Sequence, residues 1–392
     1  MARYLFSSHD GFGLGHVRRN TLVARAILAR EPGADIVIVT GLPMRPTWLG
    51  DERLRVVSVP PLLKDTAGSY RNADLTFEEA VSARAAAFRR TVAEFTPDVV
   101  VVDRHPYGVA GELRDGLDQA ARSGAAIVLG LRDILDEPAA IRQELAGDGW
   151  AGVADRFDEM LVYGERILCD HVAEYGLPVA PCYCGWVTDT TPTVQRNPGL
   201  IVVTAGGGGD GAAVFRLGAQ LAASQPQLRV ALVAGPYAAR DVVQELDAGA
   251  TGQNRLTIVR DAAGCIELFA QASGVVQMAG YNSTFESLAA GIRPVLVPRR
   301  SPRREQAIRA SRLTALGVAD MVDEDAPADE VAWLLARSRL LPAGALDHAG
   351  IRLDGAARAA TAVLALVGGT GSEMTGDGSE VTDMMRTGAT VA

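Results

Sequence analysis

The chain has 392 residues, 48% of them hydrophobic, 22% charged and 5% aromatic, with a formal net charge of −9. At about 150 residues per domain that is two to three domains, and the composition excludes a disordered chain. The acidic balance excludes a general nucleic-acid or anionic-membrane binder. Lys64 is the only lysine, so arginine clusters reflect composition before function. No apolar run reaches the ~18 residues of a membrane span, and the N-terminus enters a strand-like run at once, without a leader pattern. Cys169, Cys182, Cys184 and Cys265 lack paired ligand spacing. The expectation is a cytoplasmic protein with reduced, structural thiols.

In chain order, short apolar runs bounded by Gly, Pro or Asp predict strands at Tyr4–Ser7, Ile36–Thr40, Val56–Val59, Val99–Asp103, Ile127–Leu131 and Met160–Tyr163. A second set follows at Leu200–Thr204, Val230–Ala234, Leu256–Val259, Val275–Met278, Pro294–Val297 and Ala319–Val322. Helical stretches such as Arg18–Arg30, Phe77–Phe95, Val214–Ser224 and Phe285–Ala290 lie between them. Continuously apolar strands alternating with helices predict α/β architecture, with parallel sheets covered on both faces. A proline- and threonine-rich stretch over 178–199 interrupts the alternation and reads as a linker. The expected organisation is two Rossmann-like doubly wound domains facing across a cleft. They are assigned to residues 1–185 and 200–345, with a linker over 186–199. A C-terminal helix over 346–367 and a disordered tail over 368–392 complete the chain.

In such sheets ligands bind beyond the carboxyl ends of the strands, so the loops there hold the candidates. The first strand leads into His9-Asp10-Gly11-Phe12-Gly13-Leu14-Gly15-His16. A dinucleotide fingerprint would need an acid closing strand two, but Asp35 opens that strand instead. His16, in the first turn of the following helix, is a candidate general base, since imidazole ordinarily titrates near ~6.5. Asp103, closing its strand, is positioned to fix the His16 tautomer. His9 and His105 are rival bases.

In the second half, Gly206, Gly207, Gly208 and Gly209 precede a helix, as in anion sites made of backbone amides. The segment Gly280-Tyr281-Asn282-Ser283-Thr284-Phe285-Glu286 opens another helix. Ser283 and Glu286 fit a capping box, and the same helix start is suited to hold a phosphate and a ribose diol. Glu305 and Gln306 offer acceptors and donors for sugar hydroxyls. Arg299, Arg300, Arg303 and Arg304 read as a solvated face.

The order and spacing of these pieces resemble two-domain GT-B glycosyltransferases over nearly the whole chain up to about residue 366. The bacterial enzymes that complete the lipid-linked peptidoglycan precursor are similar, as are predicted bacterial glycosyltransferases of unassigned substrate. The segments Phe12–Arg19 and Arg132–Pro138 carry the likeness to the latter. The resemblance implies that His16 acts at the acceptor, that Glu286 binds the donor ribose, and that Glu305 and Gln306 bind the donor sugar. Ala263, in the loop Arg260–Gly264, falls where the family reads the base through backbone groups. Gly13, Gly15, Arg132 and Asp133 fall on the acceptor side. Met278 stands where plant members carry a histidine that touches the diphosphate, so here the phosphates depend on helix N-termini and an arginine.

The function so implied is inverting transfer from a nucleoside-diphosphate sugar, with UDP the expected nucleotide, to a hydroxyl acceptor. No metal and no cofactor are expected; no Asp-x-Asp pair adjoins the glycine loop. The expected partners are the nucleotide sugar and a small acceptor, with no nucleic acid and no transmembrane segment. The alternatives are a nucleotide-sugar epimerase on the same fold and a non-catalytic nucleotide-sugar-binding protein.

Overall fold

The computed structural model describes residues 1–9, 14–42, 53–64, 70–207, 209–235, 238–250, 255–260, 265–301, 303–337 and 339–367. The first part runs β1 (Arg3–Ser8), α1 (Gly15–Arg30), β2 (Asp35–Thr40), β3 (Leu54–Ser58), β4 (Leu63–Lys64) and β5 (Tyr70–Arg71). It continues with α2 (Phe77–Phe95), β6 (Val99–Asp103), α3 (Arg114–Arg122), β7 (Ala126–Arg132), α4 (Pro138–Leu145) and α5 (Val153–Arg156). It ends with β8 (Glu159–Tyr163), α6 (His171–Tyr175) and β9 (Cys182–Tyr183). The second part runs β10 (Leu200–Thr204), α7 (Ala212–Ser224), β11 (Arg229–Val233), α8 (Arg240–Ala250), β12 (Leu256–Val259), α9 (Ile266–Gln271) and β13 (Gly274–Gln277). Then come α10 (Tyr281–Ala289), β14 (Val295–Leu296), α11 (Glu305–Ala315), β15 (Asp320–Met321), α12 (Ala328–Arg337), α13 (Ala345–His348) and α14 (Gly355–Ala365).

Seven strands form one parallel sheet in the order β3-β2-β1-β6-β7-β8-β9, and six form another, β12-β11-β10-β13-β14-β15. Each sheet reverses direction beside its first strand, at β1/β6 and at β10/β13, which is where a doubly wound sheet opens a crevice. The central strands are apolar because helices cover both faces: Val99, Val100, Val101 and Val102 of β6 are all buried. Each such side chain contributes roughly 1.5–3 kcal/mol on burial. α2 starts where Thr76 and Glu79 cap each other, Thr76 Oγ1 accepting from the Glu79 N–H at 3.2 Å and Glu79 Oε2 from the Thr76 N–H at 2.9 Å. Such a box is worth about 1 kcal/mol.

Two features depart from expectation. The β4–β5 hairpin and β9 were not anticipated, because Leu63–Lys64, Tyr70–Arg71 and Cys182–Tyr183 stand in no continuous apolar run. β9 pairs with β8 at the sheet edge, so the early part of the proline-rich stretch belongs to the first sheet. Proline beside an edge strand costs no ladder bond. The chain then returns: α14 packs Ala359, Ala360 and Val363 into the same core as Val23, Ala24 and Ile27 of α1. Among the described residues no helix is long and apolar enough to cross a membrane.

The candidate active site between the two sheets

His16 sits in the first turn of α1, at the crevice of the first sheet. Its Nδ1 lies 2.8 Å from Asp103 Oδ2. Asp103 ends β6, is 2% exposed, and also accepts from Arg19 Nη2, at 2.8 Å on Oδ1 and 3.0 Å on Oδ2. Burial opposes the Asp103 charge, but the Arg19 guanidinium and His16 outweigh it and hold the carboxyl well below its ordinary range. Arg19 Nη2 also lies 3.1 Å from Nδ1, but the shorter contact is to a carboxylate that accepts only. This assigns the proton to Nδ1, as donor to Asp103, and leaves the Nε2 lone pair for an incoming proton. Arg19 is itself buried, its guanidinium 5.0 Å from the Tyr163 ring centroid and 5.3 Å from that of Tyr281.

The rival histidines stand close by. His9 and His105 ring centroids are 4.4 Å apart, and His9 is 5.6 Å from His16. Tyr70, from the β4–β5 hairpin, reaches His9 Nε2 at 3.4 Å. Each keeps some exposure at the cleft wall, yet protein crowds them on most sides. Burial first, then neighbouring cations and imidazoles, lowers both well below the ordinary histidine range. Among the described residues neither has a carboxylate like Asp103: His105 Nδ1 has Glu144 Oε1 at 3.9 Å, and Arg104 already binds Glu144 at 2.7 and 2.8 Å. An imidazole that resists charging is a weak base. Arg104 also has φ +72, a left-handed backbone rare outside glycine, at the turn that follows Asp103.

Across the crevice, Gly206, Gly207 and Gly209 follow β10, Gly206 in a left-handed conformation with φ +66. The Gly206 N–H donates to Thr204 Oγ1 at 3.1 Å. Gly208, Ala263 and Gly13 lie outside the described residues, as does the tail over 368–392. Gly280 is the N-cap of α10, so Ser283 stands inside the first turn and donates to the Gly280 carbonyl at 3.5 Å. That corrects the capping-box reading: the helix starts three residues earlier than a Ser283 cap requires. Glu286, 4% exposed, accepts instead from Arg18 Nε of α1 at 2.7 Å. Burial raises the Glu286 pKa, and Arg18 opposes the rise. Asn282 Nδ2 donates to the Gly15 carbonyl at 3.3 Å. The tips of α1 and α10 therefore touch, placing His16, Gly15, Asn282 and Glu286 around one crevice.

Glu305 and Gln306 open α11, and both are buried. Arg299 Nη2 donates to Glu305 Oε1 at 2.7 Å. Burial opposes its charge, but Arg132, Arg299 and Arg309 pull the Glu305 pKa down to about 2. Glu305 Oε2, Gln306 Oε1 and Arg132 Nε are buried with no hydrogen-bond partner among the described residues. Unpaired buried polar atoms of this kind are costly unless a ligand or water satisfies them. The arginines after β14 are not a purely solvated face. Arg299 also pairs with Asp210, and Arg304 crosses to Asp136 and Glu137.

Asp133, expected on the acceptor side, has another task. It is 1% exposed and binds Arg309 through both oxygens at 2.7 and 2.8 Å, with Trp186 Nε1 at 3.2 Å. Its carboxylate faces the second domain rather than an acceptor. Trp186 stacks on Phe285 of α10 with centroids 4.5 Å apart, and Tyr281 Oη accepts from the Val187 N–H at 2.9 Å. Arg312 of α11 likewise pairs with Glu174 at 2.6 Å. Arg18, Arg19 and Arg309 were missed as site and interface residues. Their signal, charged positions on helix faces that also carry buried apolar residues, is legible but discounted in an arginine-rich chain.

Two parallel doubly wound sheets, with crevices facing each other, make up the GT-B fold. Solved structures similar to the chain include MurG of Acinetobacter baumannii, at 15% identity and a TM-score of 0.61 over 93% of this chain and 99% of that one. The glycosyltransferase SnogD from Streptomyces nogalater has 19% identity and a TM-score of 0.63 over 93% and 100%. Medicago truncatula UGT71G1, solved with UDP-glucose, has 12% identity and a TM-score of 0.60 over 94% and 98%. No family model matches the chain, and no curated protein matches it by sequence.

Proposed function

We propose that the protein transfers a sugar from a UDP-sugar to a hydroxyl of a small acceptor, with inversion at the anomeric carbon and no need for a divalent cation. The observation that carries this reading is the His16–Asp103 contact at 2.8 Å, facing the tip of α10 across the crevice. His16 Nε2 takes the acceptor proton as the oxygen attacks. Asp103 stabilises the imidazolium that forms, and Arg19 keeps Asp103 ionised. Glu286 accepts from the ribose diol. Glu305 Oε2, Gln306 Oε1 and Arg132 Nε, each unpartnered, meet the sugar hydroxyls. Amides after β10 and at the start of α10 receive the charge that gathers on the departing diphosphate. A UDP-sugar is favoured because UGT71G1, similar in fold, was solved with UDP-glucose.

The test is a thermal-shift screen of UDP-, dTDP-, GDP- and ADP-sugars, followed by product analysis with the best binder. A donor at ~100 Kd stabilises by about 2.7 kcal/mol. Turnover that survives a chelator, with an inverted anomeric centre in the product, supports the reading. Retention of configuration, or a second sugar isomer from donor alone, overturns it.

A further inference from the structure

We propose that Arg18 is the side chain that binds the donor's diphosphate, and that it reaches the phosphates by exchanging partners with Glu286. This rests on the donor reading above and names a residue that reading leaves out. His16 and Arg18 are two positions apart on α1, so they project ~200° apart around the helix, toward opposite walls of the crevice. His16 turns to Asp103 in its own domain, and Arg18 crosses to Glu286 in the other. Glu286 is buried and Arg18 largely so, with side chains 5% and 11% exposed.

The pair lies where a diphosphate would sit. Cys265 Sγ is 3.8 Å from Thr204 Oγ1, which in turn accepts from the Gly206 N–H. Cys265 feels both the Glu286 carboxylate and the Arg18 guanidinium. Arg18 stands against α10 beside its amide-lined start, where Asn282 Nδ2 meets the Gly15 carbonyl at 3.3 Å. Asp189 is the other carboxylate acting on Glu286. Met278, at the head of the α10 loop, is buried in the second core and offers no charge.

The chemistry of exchange follows from hydrogen-bond arithmetic. A carboxylate that accepts from a ribose diol gives up a lone-pair site now taken by the Arg18 N–H. A nucleoside takes that Glu286 site from Arg18 and supplies no anionic group in exchange. A nucleoside diphosphate displaces it and supplies phosphate oxygens, the bidentate match for a guanidinium. In the transfer, the bond from acceptor oxygen to anomeric carbon forms as the bond to the β-phosphate oxygen breaks. The electron pair goes to the diphosphate and the acceptor proton to His16. Arg18 then faces more negative charge in the transition state than in the bound donor, so it speeds the step as well as binding.

The experiment compares wild type with Arg18→Gln by calorimetry on UDP and on uridine, together with turnover at saturating donor. The expected result is crossed: UDP binds at least tenfold more weakly, uridine binds severalfold more tightly, and kcat falls at least tenfold. Arg18→Lys recovers part of the UDP affinity. If both ligands change by the same factor in the same direction, Arg18 only ties the domains together and the proposal is overturned. Unchanged UDP affinity overturns it too, while leaving the donor reading intact if wild type binds UDP. A wild type that binds no nucleoside diphosphate overturns both. Should Arg18→Gln fail to fold, Arg18→Gln/Glu286→Gln, which buries no unpaired charge, is measured against Glu286→Gln alone. The preference for UDP over uridine must then drop at least tenfold, and an unchanged preference overturns the proposal.

Discussion

Replacing Asp103 by Asn separates two duties of one carboxylate. Oδ1 accepts only from Arg19, whereas Oδ2 accepts from both His16 and Arg19. In the variant the amide oxygen stays with the buried guanidinium, which needs an acceptor, so the NH2 group takes the place of Oδ2. That group donates to His16 Nδ1 and forces the proton onto Nε2, leaving no lone pair toward the acceptor. General-base assistance is worth about 10²–10⁴-fold, roughly 3–5 kcal/mol of barrier, and the expected loss in kcat lies in that range. Stability falls as well, because Arg19, 2% exposed, loses its counter-charge. Breaking a buried pair costs about 3–5 kcal/mol. His16→Ala should lose as much kcat but only about 1–2 kcal/mol of stability, since Asp103 keeps both Arg19 bonds and the His16 side chain is already 21% exposed. Arg19→Met/Asp103→Asn should regain stability and stay slow. Steady-state kinetics and urea unfolding read the two quantities separately. If Asp103→Asn keeps kcat within threefold of wild type, the tautomer argument is wrong.

Four further outcomes are expected. Asp133→Ala strands Arg309, 1% exposed, with only the Ala279 carbonyl at 2.7 Å; urea unfolding should show a loss of about 3–5 kcal/mol, most of it restored by adding Arg309→Met. His9 and His105 are held neutral in the folded protein by burial, then by each other, His16 and the Arg84, Arg104 and Arg303 charges, against the pull of Asp103 on His9. The unfolded chain therefore binds more protons below pH ~6.5, and stability should fall with pH there by up to about 1.4 kcal/mol per histidine per pH unit. A denaturation midpoint unchanged between pH 7.5 and 5.5 would contradict this. Glu305, pulled down to about 2, stabilises the fold fully above its ordinary 4.5 and loses that contribution as pH falls from 4.5 toward 2. Glu305→Gln should flatten stability across that window. Finally, a Cβ at Gly235 would meet the Gly206 and Gly207 backbone, so Gly235→Ala should push that loop aside and weaken UDP binding about tenfold by calorimetry.

Much of the architecture was legible in the residues. Continuous apolar runs such as Val99–Val102 can only be strands covered on both faces, and the glycine-bounded loops after them fall at the sheet crevices. His16 and Asp103 were both readable as residues at carboxyl ends of strands, and their 2.8 Å contact joins them. Periodicity states which face of an element is buried, but it does not name the partner across the interface. Arg18 and Glu286 are 268 positions apart, and Arg309 and Asp133 are 176 apart. The winding of the first sheet sets Arg19 against Asp103, and only the docking of the two sheets decides that Arg18 faces Glu286. That docking also decides that Asp133 joins the domains through Arg309. The choice rests on desolvation: once the interface closes, each buried charge must find its counter-charge within hydrogen-bond reach, and that pairing is a property of three-dimensional fit.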